Sequence, residues 1–392
     1  MTLRRLNPFY LAAFAWLLVL MLYSLGWSDL NRPLDSSLVF FVPFSITIYL
    51  FLGFILSRKS EPAVLDVPVE RTKTATLVIM VVFISGIFMQ RSFPVINILT
   101  GRSYDDGLTG IPFIGAFFTA YALFHSFRLS YLYVMTKKRQ YLVEYLLIFA
   151  YFLLMIERQN IAFCALGFAL AWFLNRKSNQ KSVSIWKKSF TFMIILIAIG
   201  IALFVFGVIG NTRYGLWTWD DSSMISAVGY MNDKWPTWLP KQYFWFYTYM
   251  ASPLANLNNN VQMVPSNGSI IYLLAQFFPS SITGRMGYVE STAFLFQPSL
   301  NVSTAYVQPY LGMGMGGIYA YFFVTSVVAF LVLYCPIESG SLSFAIRGAS
   351  CYFLLLMVFD NPSTYLTTGY LMIISVTCCF GAIYRHAKLV KR

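Results

Sequence analysis

Long apolar runs restrict what this chain of 392 residues can fold into. A run of about 20 apolar residues matches the ~30 Å hydrocarbon core of a bilayer, which a helix can cross because it satisfies its own backbone hydrogen bonds. Such runs recur along the chain, in which hydrophobic residues make up 58% and charged residues 11%. The sequence therefore predicts an all-α polytopic integral membrane protein with about 10–12 transmembrane helices.

The runs divide the chain into three parts. Residues 1–209 are predicted to hold transmembrane helices 1–7, residues 210–310 form one long polar loop, and residues 311–392 hold the C-terminal transmembrane helices and a tail. The first run, at about 8–26, follows two arginines as the apolar part of a signal peptide would. Because the run is long and no small-residue cleavage site follows it, we interpret it as a retained span.

Residues 141–175 are too long for a single crossing. They are apolar except for Glu144 and a polar group at 157–160. One helix of this length would measure about 50 Å, far more than a ~30 Å core. It would also place the next basic loop on the face opposite to the other basic loops. We therefore predict a hairpin of two short helices, whose turn lies below the membrane surface and needs a wet cavity or protein contacts.

The basic residues indicate the orientation. With these spans, 19 of the 28 lysines and arginines fall on the face that both termini share, and eight fall on the other face. The positive-inside rule then predicts cytoplasmic termini and an external loop. Two apolar pieces of that loop, about Tyr243–Ala255 and Ile270–Ile282, are predicted to form either a re-entrant pair or two extra short spans. Both alternatives keep the termini on one side.

The sequence favours neither a metal site nor nucleic acid as a partner. Its two histidines are His125 and His386, and its five cysteines lie in or beside apolar runs without the spacing of zinc ligands. We predict no metal and no cofactor. The net charge of +13 resides in short loops between spans, where topology accounts for it, so it does not indicate nucleic-acid binding.

Arg213 is a candidate phosphate ligand at the start of the long loop. It stands between Thr212 and Tyr214, with Gly210 and Gly215 on either side. A guanidinium group can hold two phosphate oxygens at once, so a site that meets lipid phosphates at the outer leaflet would use it. The alternative is an arginine that anchors the protein to headgroups. The glycines permit a tight turn and favour a functional role.

Two further arginines lie at membrane depth. Arg158 is in the predicted sunken turn beside Glu157, and ionisable residues at such depth usually mark function. A structural pairing of Glu157 with Arg158 is the alternative. Arg128 follows His125 by one helical turn in the fourth span, so the two can share a helix face. Arg128 can equally extend to the inner headgroups, and the sequence leaves both interpretations open.

The long loop is rich in aromatic residues and amides. Five of the nine tryptophans lie in it, and tryptophan and tyrosine often form belts at the membrane interface. The aromatic run at 243–249 and the amides at 256–260 also suit a sugar, whose C–H faces stack on rings while its hydroxyls need donors and acceptors. The loop carboxylates available as a base are Asp220, Asp221, Asp233 and Glu290, and no spacing selects one of them.

Four motifs together resemble a known family. They are Gly210-Asn211-Thr212-Arg213, the stretch Tyr249–Leu257, Glu157-Arg158-Gln159-Asn160, and Asn301-Val302-Ser303-Thr304 with the glycine-rich residues 312–317. Over about residues 141–330, and in its overall layout, the chain resembles the bacterial O-antigen polymerases, which are oligosaccharide repeat-unit polymerases.

The resemblance implies a metal-independent membrane glycosyltransferase in the bacterial inner membrane. It would transfer a growing glycan from undecaprenyl pyrophosphate to the next lipid-linked repeat unit at the periplasmic face, and a chain-length regulator would be a further partner. The predicted catalytic residues are Arg158 and Arg213, which would stabilise the departing pyrophosphate. The predicted substrate contacts are Asn211, Tyr214, Tyr249, Asn256, Arg285 and Asn301.

Three other functions stay open as alternatives. A lipid-linked oligosaccharide flippase would be expected to carry buried charges along several spans and repeated halves. The related O-antigen ligases carry a functional histidine in the long outer loop, where this sequence has none. A membrane acyltransferase would need a histidine placed for base work on the outer face.

Overall fold

The computed structural model describes residues 6–58, 70–90, 94–95, 113–178, 185–212, 220–289, 291–335 and 340–390. Most of these residues are helical, and their only β-type pairing is an isolated bridge between Ser28 and Met231. In chain order the helices are α1 (Pro8–Ser24), α2 (Ser36–Arg58), α3 (Lys73–Gln90), α4 (Ile114–Thr136), α5 (Arg139–Leu154), α6 (Arg158–Ser178), α7 (Ile185–Thr212), α8 (Ser223–Val228), α9 (Tyr243–Met263), α10 (Ile270–Ala275), α11 (Ser280–Thr283), α12 (Val307–Tyr334), α13 (Ser341–Leu356) and α14 (Leu366–Val390). The all-α prediction is confirmed for these residues.

Several helices have the apolar character that a membrane requires. By length and composition, three helices in the described ranges can cross a membrane, namely α2, residues Ser189–Asn211 of α7, and α12. Other apolar helices are shorter: Pro8–Ser24, Lys73–Met89, Gln159–Asn175, Ser341–Leu356 and Leu366–Gly381. Apolar helices of this kind are expected of a membrane protein.

The helices pack in two groups. In the first group α4 is surrounded by α3, α5, α6, α13 and α14. In the second group α1 packs against α2 and α9, and both of these pack against α12. Contacts between α1 and α13 join the two groups. Helix α4 is therefore the centre of the first group.

Hydrogen bonds between linkers define the two ends of the bundle. At one end, called the loop end, the Asp35 N–H donates to Asn258 Oδ1 at 2.8 Å and the Ala305 N–H donates to the Met357 carbonyl at 3.0 Å. The linkers 25–35, 220–306 and 357–365 therefore lie together there. At the opposite end, the Glu70 carboxylate accepts a hydrogen bond from the Ser341 hydroxyl at 2.5 Å.

The structure confirms the predicted hairpin between residues 141 and 175. Helix α5 ends at Leu154, α6 begins at Arg158, and three residues form the turn. Ile156 has φ 58°, a left-handed conformation that is unusual for a β-branched residue. The Glu157 N–H donates to the Phe152 carbonyl at 3.0 Å and closes the turn.

The two apolar pieces of the long loop form α9 and the shorter helices α10 and α11, and their placement as extra spans or as a re-entrant pair stays a prediction. Helix α9 contacts the α1–α2 linker along its length, since the Tyr247 hydroxyl accepts from the Trp27 N–H at 2.9 Å and Gln262 Nε2 donates to the Pro33 carbonyl at 2.9 Å. Helix α9 therefore lies alongside this linker, and it also packs against α1, α7 and α12. The second piece is broken into α10 and α11, whose six and four residues are too short for a ~30 Å core.

Some predicted boundaries need correction. Helix α7 continues to Thr212 and α12 begins at Val307, so both extend into the predicted loop of residues 210–310. Helix α13 begins at Ser341 instead of near residue 349. Arg347 lies inside α13, where it is 5% exposed and donates to the Leu6 carbonyl at 3.1 Å.

Candidate functional site

The turn between α5 and α6 lies below the ends of its neighbours at the loop end. Helices α3 and α5 run side by side, because Thr76 bonds Glu144 and the Phe83 ring stacks on Tyr151 with centroids 3.7 Å apart. In this register α3 continues about four residues past the end of α5, which is about 6 Å.

Helix α4 rises further above the same turn. Cys164 Sγ of α6 donates to Ser126 Oγ of α4 at 3.3 Å, which aligns the two helices. The start of α6 is then level with about residue 120 of α4, and α4 continues about six residues beyond it, or about 9 Å. The turn therefore lies deeper than the ends of α3 and α4, and we call this part of the loop end, which comprises residues 155–160, 352 and 366–370 and the beginning of α4, the loop-end recess.

Polar side chains at the floor are held in place. Asn160 Nδ2 donates to Glu157 Oε2, and Gln159 Nε2 donates to the Tyr352 hydroxyl of α13. The backbone of Arg158 begins α6 at the floor of the recess. The first N–H groups of a helix have no partners within it and carry partial positive charge, so this position favours an anion. The proposed pairing of Glu157 with Arg158 stays untested, and Glu157 bonds Asn160.

Arg285 stands at the rim of the recess. Its guanidinium carbon lies 4.9 Å from the centroid of the Phe113 ring, next to the first residue of α4. Its segment is fixed to the start of α14, because the Ser280 hydroxyl donates to the Thr364 carbonyl at 3.3 Å. Arg285 therefore contacts the beginning of α4, and the backbone of Arg158 lies on the order of 10 Å further along the axis of that helix.

A carboxyl group that the sequence analysis did not select lies near the same rim. Asp360 follows α13, and its two oxygens accept from the Asn361 N–H at 2.7 Å and from the Tyr365 hydroxyl. Burial raises the pKa of Asp360 above its ordinary value. The signal in the sequence was a charged residue in a short turn between two apolar runs. Such a group can exchange a proton with a bound hydroxyl.

Asn211 and Tyr249 lie elsewhere, at the crossing of α7 and α9. Asn211 is fully buried, where its Oδ1 accepts from Trp245 Nε1 at 2.7 Å and its Nδ2 donates to Ser222 Oγ at 3.1 Å. The Tyr249 ring makes an edge contact with Phe206 at 5.4 Å. Arg213 and Tyr214 lie outside the described residues. The roles predicted for these four residues stay predictions.

Asn256 and Asn301 form a third group. Asn256 Nδ2 donates to the carbonyls of Leu300 and Val302, both at 2.8 Å, so both of its amide hydrogens are engaged. These carbonyls flank Asn301, whose side chain is exposed. The amide of Asn256 thus holds the loop that presents Asn301, and this loop also touches the end of α13 through Met357.

The predicted site residues that lie in the described ranges therefore occupy three places: the recess, the α7–α9 crossing, and the loop around residue 301. Among the described residues, no three His, Cys, Asp or Glu side chains are grouped so that they could hold a metal ion. No known family model matches the chain, and no match was found among curated proteins or among solved structures.

Proposed function

We propose that this chain is a multi-pass protein of the bacterial inner membrane that polymerises undecaprenyl-pyrophosphate-linked oligosaccharide repeat units. Polymerisation takes place at the periplasmic face and lengthens O-antigen or a related surface polysaccharide. The observation that carries the proposal is the loop-end recess, which has Arg158 at its floor and Arg285 at its rim. The resemblance to O-antigen polymerases supplies the substrate class, and the aromatic, amide-rich loop beside the recess suits a glycan.

The chemistry needs charge stabilisation and proximity. A hydroxyl of the acceptor sugar attacks the anomeric carbon of the donor, the bond from that carbon to pyrophosphate breaks, and the hydroxyl proton passes to a base. Cations and helix N–H groups placed near the departing pyrophosphate stabilise its negative charge, which is often the largest catalytic contribution. Both substrates are lipid-anchored, so holding them in one recess also lowers the entropic barrier. Asp360 is the carboxyl we favour as the base.

The proposal includes ten crossings with both termini in the cytoplasm. The crossings are α1–α7 and α12–α14, which we propose to run alternately up and down. The end with Lys137–Arg139 then faces the cytoplasm, in agreement with the positive-inside rule, and the loop end faces the periplasm. Helices α8–α11 remain on the periplasmic side.

Reporter fusions test this topology. A fusion ending at Lys138, which connects α4 to α5, is expected to be active only as a cytoplasmic reporter. A fusion ending at Gly268, an exposed residue between α9 and α10, is expected to be active only as a periplasmic reporter. If both reporters were found on the same side of the membrane, the proposed ten crossings and the periplasmic position of the recess would be contradicted.

Deletion of the gene tests the proposed activity. We expect the ladder of long glycan chains to disappear from gels of surface polysaccharide, while single repeat units still reach the surface. The reason is that a polymerase joins units that other proteins make, export and attach. Restoring the intact gene on a plasmid controls for effects on neighbouring genes. An unchanged ladder would refute the proposal.

A flippase for lipid-linked oligosaccharides is the second candidate function. It is favoured by one observation, which is that ionisable groups are buried inside the helices, among them Glu144 and His125. The deletion experiment distinguishes it, because loss of a flippase removes all surface glycan, including the single unit. Loss of an O-antigen ligase would likewise leave the glycan off the surface.

A further inference from the structure

Two helices end side by side at the end of the bundle opposite to the loop end. Helix α2 leaves the loop end at Ser36, and its 23 residues extend for about 34 Å to Arg58. Helix α12 also leaves the loop end, at Val307, and its last residue, Tyr334, lies beside Arg58. Because α2 is slightly longer than a hydrocarbon core of ~30 Å, both helix ends lie at the level where lipid headgroups begin.

A cavity lies between these two helix ends. Its volume of about 490 Å³ falls in the range of about 300–1,000 Å³ that is typical of ligand sites. Its lining is aromatic and aliphatic except for one guanidinium group: Phe51, Phe54, Ile55, Arg58 and Tyr334. Phe51 and Phe54 are about half exposed, so the cavity is open toward the surroundings of the bundle.

A second, smaller cavity of about 280 Å³ lies between α12 and α14. The residues that line it include Leu331, Val376, Cys379 and Phe380, and none of the lining residues is charged. Tyr334 lines both cavities, so they are neighbours separated by one aromatic side chain. The pair therefore offers two apolar spaces next to each other and a single cation at the edge of the larger one.

The Arg58 side chain is held beside the larger cavity by Phe54, one helical turn earlier. Its guanidinium carbon lies 4.3 Å from the centroid of the Phe54 ring, which is a cation–π contact. No carboxylate in the part of the chain that the structure describes forms an ion pair with Arg58. A guanidinium group has five N–H donors in one plane and can hold two phosphate oxygens at once. The position thus favours a phosphate that is attached to an apolar chain.

We propose that the two cavities bind one anionic diacyl phospholipid, with its phosphate on Arg58 and its two acyl chains in the two cavities beside Tyr334. The uncharged linings favour hydrocarbon over water, and the positive charge favours an anionic headgroup. Under the topology proposed above, this end faces the cytoplasm, where the membrane surface carries anionic lipids and basic pockets between helices bind their headgroups. A lipid with a single chain would fill one of the two cavities.

The lipid would bridge the two groups of helices. Helices α2 and α12 belong to the second group, and α14 belongs to the first. At this place the two groups are joined directly by the Cys379 thiol, which donates to the Val332 carbonyl at 3.6 Å. A lipid that fills the spaces on both sides of Tyr334 therefore adds contacts to all three helices. The inference does not depend on the proposed polymerase activity.

Native mass spectrometry of the full-length protein, released from detergent micelles that contain mixed lipids, counts the lipids that stay bound. We expect one phosphatidylglycerol to be retained over phosphatidylcholine with the same acyl chains by about fivefold, the factor that one basic side chain contributes near anionic headgroups. Arg58→Gln should abolish this preference. Lys137→Gln, which removes a cation 5.6 Å from the Tyr133 ring at the same end of the bundle, should keep it.

Three results of this measurement would overturn the proposal. The first is equal retention of the two lipids by the wild type, which would show that no site selects the anionic headgroup. The second is a preference that Arg58→Gln retains. The third is a preference that Lys137→Gln loses as completely as Arg58→Gln does, because the lipid would then respond to the total charge of this end and not to a site at Arg58.

A separate measurement tests the smaller cavity and keeps the proposal testable if Arg58→Gln does not fold. The wild type should retain phosphatidylglycerol over its single-chain lyso form by about tenfold, since burial of only two methylene groups of the second chain contributes about that factor. Val376→Trp fills the cavity between α12 and α14 and should remove this preference. Thr377→Trp is the matched control, because Thr377 is exposed on the same helix. A wild type without this preference, or a preference unchanged in Val376→Trp, would contradict the two-chain site.

Discussion

Replacing Arg158 by lysine is expected to remove most of the glycan ladder while the protein inserts at normal levels. Arg158 begins α6 at the floor of the loop-end recess, where a phosphate would also meet the first N–H groups of the helix. Lysine keeps the charge but lacks the planar fork that holds two oxygens at once. Alanine should reduce polymerisation further, on the order of 100-fold, as removal of one positioned donor does in other enzymes.

The measurement is the ladder on a gel, normalised to the amount of protein in the membrane. Arg285→Lys, at the rim of the same recess, should shorten the ladder, and Arg213→Lys tests the second predicted phosphate ligand. Arg32→Lys is a matched control, because its guanidinium also lies 4.9 Å from a ring, that of Phe296, and it belongs to the linker between α1 and α2. Full ladders from alanine at both Arg158 and Arg213 would exclude both residues from the site.

Replacing Asn256 by alanine is expected to destabilise the protein by about 2–4 kcal/mol. The substitution removes two hydrogen bonds of 2.8 Å and leaves the carbonyls of Leu300 and Val302 without their donor. Because Asn256 is 5% exposed, the vacated space is not open to bulk water. The free energy of unfolding, or the melting temperature of the solubilised protein, measures the effect.

Asn301→Ala is the matched control for this change. Asn301 lies in the loop that Asn256 holds, but its side chain is exposed, so the substitution should leave the melting temperature unchanged. If Asn301 contacts the glycan, the same variant should still shorten the ladder. An Asn256→Ala protein that melts like the wild type yet makes no polymer would show that Asn256 acts on the substrate and not on the loop.

The sequence by itself determined the helical character and the hairpin. Both follow from local properties, because an apolar run specifies a helix and its length limits how often the chain can turn. The same arithmetic located the turn before Arg158. The sequence also selected Arg158 and Arg285, but for separate reasons, and nothing in the spacing of residues 158 and 285 indicated that they would reach one recess.

Only the tertiary structure decided which polar groups meet. From the sequence, Asn256 was predicted to contact a sugar. In the structure its side chain instead donates hydrogen bonds to backbone carbonyls 44 and 46 residues away. Arg347 is buried in α13, where its guanidinium donates to the carbonyl of Leu6, 341 residues away. Glu144 is 72 residues from Thr72 and was an isolated acid within an apolar stretch. Hydrogen bonds of this kind depend on how helices pack side by side, and that packing brings together residues whose distance along the chain carries no information about it.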